Sequence, residues 1–432
     1  MSSILDQVVS GTPLSLMMGA AVLLALALWL AWRRPGLALM FALAWLAVRP
    51  ELLWGGPHIG LGWGLHRTLL VVALIANAMH FGLRKSINWP IVALIVVLGL
   101  NLLFGELHRE LTADFMLTSL TLLALPFAVS HVMLDPEFRR SYASVIALTP
   151  LLSVMIGALL QLAGIHTMFA NLHDRLEGAT GNAAVFAMLA FAGFAVALHE
   201  AVREERLGAV ALVSVNLALV MLSGTRMAIL ASAVLLIAYV TASEQLPERL
   251  RRNRIVVLLA LFLVGAIVAL YVPTLYDRMF EGLGRSDVWQ YFYGEFLLSP
   301  FFGRGIGSGF LTEVEWPGHL ERPYLPVPHN EYLHLLVIGG VLGLIVCLVG
   351  MVVWYWALVQ AASPRDRQFL VALVPALVVY AMTDNILIYS SALGLYVYLG
   401  TICGSTNVQP SISSAEDGAR HHRPDVVTHP EV

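Results

Sequence analysis

The chain has 432 residues, of which 59% are hydrophobic and 12% are charged, and its mean hydropathy is +0.79. Soluble domains carry about 25% charged residues, so this composition excludes a soluble globular protein and predicts an integral membrane protein. We expect membrane lipids around the chain and no nucleic-acid partner. The two cysteines, Cys347 and Cys403, lie in or at the end of apolar runs, so neither a disulfide nor a cysteine metal site is expected.

The apolar runs predict an all-α polytopic fold with twelve or thirteen transmembrane helices. A helix needs about 20 apolar residues to cross a bilayer, and lipid offers backbone groups no partner outside a helix or closed barrel. The second run and the last pair are ambiguous, which leaves the count open. Because residues 1–13 contain no Lys or Arg, the first run is not expected to be a cleaved signal peptide. The runs lie at 14–32, 36–54, 68–83, 89–105, 115–133, 142–164, 182–198, 207–223, 226–242, 255–272, 332–359, 369–384 and 386–403.

Basic residues assign the two sides of the membrane, since cytoplasmic loops carry an excess of Lys and Arg. Alternate loops hold most of them, and we assign these loops to the cytoplasm: Arg33, Arg34, Arg84, Lys85, Arg139, Arg140, Arg203, Arg206, Arg249, Arg251, Arg252, Arg254, Arg365, Arg367, Arg420 and Arg423. The external side then holds only arginines: Arg49, Arg67, Arg109, Arg175, Arg226, Arg278, Arg285, Arg304 and Arg322.

This topology divides the chain into four parts. Residues 1–272 form transmembrane helices 1–10, and residues 273–331 form one large periplasmic loop with short surface helices. Residues 332–403 form the C-terminal transmembrane helices. The Ser-, Pro- and His-rich tail 404–432 is expected to be a disordered cytoplasmic segment.

The stretch MLSGTRMAIL places Arg226 at the start of a helix, after a tight turn at 223–225. The helix macrodipole opposes a cation at this end and favours an anion. An arginine there is better accommodated if a phosphate joins it, bound also by the free N–H groups of the first turn. The alternative is an arginine that merely snorkels to a membrane interface.

The stretch GRSDVWQYFYGEFLLSPFFGRGIGSGF predicts a surface helix from Ser286, a plausible N-cap, to about Leu298, before Pro300. Helical spacing puts four residues on one face: Arg285, Trp289, Phe292 and Phe296. Such a helix suits the membrane surface. The alternative is an amphipathic helix that has a purely structural, covering role. Alternating glycines around Arg304 favour a close backbone approach to a ligand or to a neighbouring helix.

The stretch RPYLPVPHNEYLHLL places His329 just outside a helix that Asn330 caps and Glu331 begins. The positive field of nearby arginines favours a neutral imidazole, which can accept a proton as a general base. Glu331 and His334 are the expected orienting groups, with Glu331 also a rival base. A merely structural or exposed histidine is the alternative. His329 and Glu331 are two residues apart and His329 and His334 are five apart, and neither spacing places two metal ligands on one helix face. Since H-E-x-x-H is also absent, no metal and no other cofactor is expected.

In this order, SGTRMAIL, GRSDVWQYF…SPFFGRGIGSGF and PHNEYLHLLVIGGVLGL resemble the core of the O-antigen ligase and polymerase superfamily over roughly residues 220–350. The segment RLEGATGNAAVFAMLA is similar to a further family pattern at Arg175, Gly178 and Asn182, although Ala replaces a second Asn. The resemblance does not separate a ligase from a polymerase.

The resemblance implies a class C-like glycosyltransferase of the bacterial inner membrane with its active site facing the periplasm. The implied donor is a glycan on undecaprenyl diphosphate, and the acceptor is lipid A–core or a lipid-linked repeat unit. It implies that Arg226 and Arg285 bind the diphosphate and that His329 is catalytic. Five further candidate substrate contacts are Arg175, Asn182, Arg304, Asn330 and Glu331.

Two other function classes stay open from sequence. A transporter or flippase of lipid-linked glycan would share the external cations. Such proteins typically show internal repeats and paired interrupted helices at the bilayer midplane, and neither is evident in this chain. A structural membrane subunit whose loop docks a partner is the third reading.

Overall fold

The computed structural model describes residues 14–48, 59–83, 132–170, 175–204, 207–242, 286–305, 308, 328–382, 384, 386 and 390–404. Several predictions lie outside this part of the chain. They are the runs at 89–105 and 255–272, almost all of the run at 115–133, most of the loop 273–331 including Arg285, and the tail beyond residue 404.

Within the described part, α-helices account for nearly all regular structure, which confirms the expectation of an all-α membrane protein. The helices are α1 (Leu14–Arg33), α2 (Pro35–Trp45), α3 (Ile59–Phe81), α4 (Arg139–Leu162), α5 (Ala183–Glu204), α6 (Leu207–Leu222), α7 (Arg226–Ala242), α8 (Ser286–Leu298), α9 (Glu331–Ala361), α10 (Pro364–Ala381) and α11 (Leu393–Gly404). Short 3-10 helices span Pro136–Phe138 and Ser390–Ala392, and the two-residue strands β1 (Phe169–Ala170) and β2 (Arg175–Leu176) pair antiparallel.

Three described helices are long and apolar enough to cross a membrane: α4, Ala183–Arg203 within α5, and α9. Other apolar runs correspond to helices with different bounds. The run at 36–54 is helical over Pro35–Trp45, and the run at 386–403 contains the turn Ser390–Ala392 before α11. The total helix count and the division of the chain into four parts stay predictions.

Helix α5 forms the centre of the described bundle. It packs most extensively against α6 and α4, and it also contacts α7, α10 and α11. Its aromatic residues Phe186, Phe191 and Phe194 are fully buried, as expected for a helix that is apolar on all sides. Small residues permit this close packing: a Cβ on Gly193 would lie 2.7 Å from the side-chain oxygen of Asn216 on α6.

Helix α9 is broken at Gly340, where φ is 64° and ψ is −168°. Residues 300–305, here called the glycine-rich segment, hydrogen-bond to the break: the Arg304 amide donates to Val337 O at 2.8 Å, and the Val341 amide donates to Pro300 O at 2.8 Å. A Cβ on Gly303 would lie 2.4 Å from the Gly339 nitrogen. These glycines therefore serve a close backbone approach to a neighbouring helix, which was one of the two sequence interpretations.

A buried polar cluster joins four helices at the end of α5 that carries His199 and Glu200. Asp366 on α10 lies 3.2 Å from Arg139 on α4 and 3.2 Å from His199 Nε2. The Tyr398 hydroxyl on α11 donates to Glu200 Oε1 at 2.6 Å. The candidate active site lies at the opposite ends of α5 and α10.

Candidate active site

His329 has a strained backbone conformation and lies two residues before the start of α9. Its φ is 48°, and among the described residues it is the non-glycine residue with positive φ. The left-handed region costs a residue other than glycine about 1–2 kcal/mol, and such strain persists where surrounding contacts impose it. Two contacts hold the backbone on either side: Trp289 Nε1 donates to Pro328 O at 2.7 Å, and Asn330 Oδ1 accepts from the Leu333 amide at 3.0 Å. The predicted Asn330 cap is thus present.

The carboxylate that faces His329 belongs to Asp384, just beyond the end of α10. Asp384 Oδ1 lies 3.5 Å from His329 Nδ1, and the side chains are 2% and 33% exposed. The distance is long for a hydrogen bond, although catalytic hydrogen bonds often shorten when substrate binds. The Nδ1 atom itself is buried. The exposed third of the side chain therefore belongs to atoms other than Nδ1.

Glu331 has a different partner from the one expected. Its Oε1 lies 3.2 Å from His334 Nδ1, and both side chains are almost fully buried. The sequence interpretation paired these two residues with His329, whereas the structure pairs them with each other. His329 and Asn330 are both partly exposed, and a substrate contact by Asn330 or Glu331 stays a prediction.

Arg226 is the first residue of α7 and is half-buried. The turn before it is tight because Gly224 adopts a left-handed φ of 61° and donates its amide to Met221 O at 3.0 Å. The Ser223 hydroxyl donates to Val220 O at 2.6 Å. The turn therefore ends α6 and starts α7 within three residues, as the sequence predicts, and places Arg226 at a helix N-terminus.

The upstream motif supports the same turn. Arg175 Nε donates to Ser223 O at 2.9 Å, and Arg175 Nη2 donates to the Thr225 hydroxyl at 2.7 Å. Asn182 caps α5, since its Oδ1 accepts from the Ala184 amide at 2.9 Å. Both residues thus have protein contacts at the ends of helices, and their predicted roles as substrate contacts stay untested.

Arg304 forms an ion pair with Glu295, which ties the glycine-rich segment to α8. Helix α8 spans Ser286–Leu298 as predicted, and its Phe292 is fully buried against Val337 of α9. Because Arg285 lies outside the described residues, its position relative to Arg226 stays a prediction.

The ends of four helices meet around these groups. The Thr225 hydroxyl at the start of α7 donates to Ala183 O at the start of α5. Tyr332 on α9 donates to Val378 O on α10 at 3.3 Å. Helix α7 packs against α10, and Tyr380 in the last turn of α10 is fully buried. The structure thus brings the arginine turn and the His329–Asp384 pair to one end of the bundle.

Sequence reasoning missed Asp384. A signal was present, because the polar triplet Thr383, Asp384 and Asn385 interrupts two apolar runs. Acidic residues at membrane depth are rare, and each is a functional-site hypothesis by default. For metals, the described part of the chain contains no group of three His, Cys, Asp or Glu side chains arranged to hold an ion.

Comparison with known families identifies the central part of the chain. Residues 209–348 match the O-antigen ligase family. This interval includes most of α6, all of α7 and α8, and the first part of α9, so it contains Arg226 and His329. No curated protein matches the chain. The resemblance to the O-antigen ligase and polymerase superfamily is therefore confirmed, and it implies a ligase- or polymerase-type activity on lipid-linked glycans in general.

Proposed function

We propose that this chain, a member of the O-antigen ligase and polymerase superfamily by its residues 209–348, moves a glycan from undecaprenyl diphosphate to an acceptor hydroxyl. The acceptor is lipid A–core for a ligase or another lipid-linked repeat unit for a polymerase. The site faces the periplasm from the bacterial inner membrane, and the reaction needs no metal.

The observation that carries the proposal is the half-exposed imidazole of His329, whose buried Nδ1 faces Asp384 at 3.5 Å. A general base must accept a proton on an accessible atom, and a carboxylate on the opposite nitrogen stabilises the imidazolium that forms. This role for Asp384 is that of a positioning residue, since it acts through His329.

In the proposed reaction, the acceptor hydroxyl oxygen attacks the anomeric carbon of the donor sugar. Its proton moves to Nε2, the other ring nitrogen of His329, and a new glycosidic C–O bond forms. The C–O bond to the diphosphate breaks, and its electron pair leaves with the diphosphate. Attack opposite the leaving group inverts the anomeric centre.

The departing diphosphate needs fixed positive charge in a site with little water. Arg226 supplies a guanidinium, which binds phosphate oxygens in a planar, bidentate manner. The first turn of α7 adds N–H groups that have no partner within the helix, and its macrodipole favours an anion. Arg285 is the proposed second cation. Fixed groups of this kind contribute about 3–4 kcal/mol each to transition-state stabilisation.

The test is complementation of two bacterial strains, one lacking its O-antigen ligase and one its polymerase, with lipopolysaccharide analysed on gels. Polymer on lipid A–core in the first strain would assign a ligase, and a long ladder in the second would assign a polymerase. His329→Ala, Arg226→Ala and Arg285→Ala should each abolish the product while the protein still inserts. Normal product from all three variants would sink the proposal.

Matched controls separate chemistry from insertion. His80 is exposed near the end of α3 and Arg140 is exposed at the start of α4, so His80→Ala and Arg140→Ala should leave the product unchanged. A purified protein that moves the lipid-linked glycan across a vesicle membrane without forming a glycosidic bond would favour the transporter reading instead.

A further inference from the structure

We propose that Arg175 is a positioning residue: it holds the turn at 223–225 so that Arg226 and the first amides of α7 face the diphosphate of the donor. The inference rests on the proposed function and assigns Arg175 a role different from that of a ligand. It also predicts which neighbouring side chain transmits its effect.

The contacts of Arg175 converge on the turn. Its Nε donates to Ser223 O at 2.9 Å, and its Nη2 donates to the Thr225 hydroxyl at 2.7 Å. One planar guanidinium thus hydrogen-bonds to the turn on both sides of Gly224, the residue with the left-handed φ. The fork of an arginine is rigid, so two bonds of this kind fix direction as well as distance. The next residue along the chain is Arg226.

Helix polarity gives the two arginines opposite environments. Ser223 follows the last residue of α6 and donates its own amide to Leu219 O, so Arg175 binds the carbonyl end of that helix. A cation is stabilised at a helix C-terminus and opposed at an N-terminus. The charge of Arg175 is therefore accommodated by the protein itself, whereas Arg226, at the start of α7, lies where an anion is favoured.

A rigid loop presents Arg175 to the turn. The residue begins β2, which pairs with β1, and the chain that follows is fixed to α4 through the Ala179 amide, which donates to Ser153 O at 3.0 Å. A Cβ on Gly157 would lie 2.6 Å from the Gly178 carbonyl carbon. The close contact leaves the loop little room to shift. The backbone of Arg175 is therefore held in place, and any relative movement at this contact would have to be movement of the turn.

The two hydrogen bonds from Arg175 to the turn are here called the clamp, and Thr225 links the clamp to a second helix. Its hydroxyl accepts from Arg175 and donates to Ala183 O at 3.3 Å. Loss of either the guanidinium or the hydroxyl should release the same turn. Two substitutions that break one contact are not additive, and a double-mutant cycle measures this coupling.

The experiment measures kcat and KM for lipid-linked donor with purified full-length protein in nanodiscs. Arg175→Gln and Thr225→Val should each lower kcat/KM about ten- to a hundredfold, the range for a lost hydrogen bond to a charged group. The double variant should be no worse than Arg175→Gln alone. Thr225→Ser keeps the hydroxyl and should retain activity within about twofold, since its contact with Arg175 is preserved.

A second measurement separates a clamp from a ligand. The probe is binding of undecaprenyl diphosphate to the protein carrying Arg226→Ala, with and without Arg175→Gln. If Arg175 acts through Arg226, the second substitution leaves the remaining affinity unchanged within about twofold, because the coupled effect is already lost. A further loss of tenfold or more would make Arg175 a direct phosphate ligand and overturn the inference.

The controls keep the outcomes distinct. Arg140→Gln, an exposed arginine on α4, should leave both kcat and KM unchanged. If Arg175→Gln does not fold, the comparison of Thr225→Val with Thr225→Ser decides, and equal activity of these two overturns the clamp. If the losses of kcat/KM from Arg175→Gln and Thr225→Val multiply in the double variant, only this inference is contradicted. Full transfer activity of His329→Ala would instead contradict the proposed function.

Discussion

Replacement of Asp384 by asparagine tests the proposed pair with the smallest change in shape. The substitution keeps the side-chain volume and removes the charge that faces His329 Nδ1 at 3.5 Å. A unit charge pair at this separation interacts by about 5 kcal/mol at an effective dielectric constant of 20. This is an upper bound, because one third of the His329 side chain is exposed and solvent screens the pair.

We expect Asp384→Asn to lower kcat about 10- to 100-fold, which corresponds to about 1.4–2.7 kcal/mol in the barrier. The donor KM should change by less than about twofold, because Asp384 stabilises a charge that appears only during proton transfer, and uniform binding is unaffected. His329→Ala should cost more, about 10²- to 10⁴-fold. The assay is transfer from lipid-linked donor to acceptor by protein in nanodiscs.

The double variant Asp384→Asn with His329→Ala provides the decisive comparison. If Asp384 acts through His329, the double variant is as slow as His329→Ala alone. A kcat for Asp384→Asn within twofold of the wild type, or losses that multiply in the double variant, would refute the reasoning. Glu137→Gln, an exposed carboxylate-to-amide change, is the control, and thermal unfolding of Asp384→Asn shows whether the fold is retained.

Three further results are expected. Trp289→Phe removes the donor to Pro328 O while keeping an aromatic ring, so kcat should fall about three- to tenfold for the loss of about 1 kcal/mol. The control Trp356→Phe, on an exposed face, should leave kcat unchanged. Equal kcat values for the two variants would contradict a role of the Trp289 contact in catalysis. Gly340→Ala would bring a Cβ within 2.4 Å of the glycine-rich segment at a φ of 64°, and should reduce the free energy of unfolding by about 1–3 kcal/mol. Gly294→Ala, which has open space around it, should not reduce it. Thermal unfolding in detergent compares the two variants. Transfer should survive EDTA with less than twofold loss, since the proposed cations are arginines, and activity that returns only on addition of a divalent ion would contradict this.

Local signals predicted the helix ends near the site. Ser286 as an N-cap and Pro300 as a stop gave the bounds of α8, and Asn330 gave the start of α9. Such signals work from sequence because a cap bonds to amides two or three residues away. The all-α architecture was similarly accessible, because composition alone decides which backbone structures lipid can accommodate.

Contacts between distant segments were not accessible in this way. His329 and Asp384 approach each other because Tyr332 near the start of α9 packs against the last turn of α10, where its hydroxyl donates to Val378 O. Sequence reasoning instead selected Glu331 and His334 as partners of His329, since they are near in the chain. Helical geometry turns those two toward the buried side, where they pair with each other.

The alternating glycines show the same limit in another form. Their spacing indicates that two backbones meet, but it does not identify the second backbone. In the structure the partner is α9 itself, which breaks at Gly340 so that its freed groups bond to residues 300–305. The break and the glycine-rich segment each satisfy the backbone groups of the other. Neither would be stable alone, because a buried unpaired backbone group costs about 1–3 kcal/mol.

Arg175 and Arg226 look equivalent in the sequence, since each is predicted to be external and lies close to glycines. What separates them is the end of the helix that each one meets. Arg175 binds the carbonyl that closes α6, while Arg226 opens α7. A turn of three residues reverses the sign of the helix field between them, so Arg175 lies at a helix end that favours a cation and Arg226 lies at one that favours an anion. In the proposed site, two arginines on either side of one such turn would couple the stability of the turn to the binding of the diphosphate.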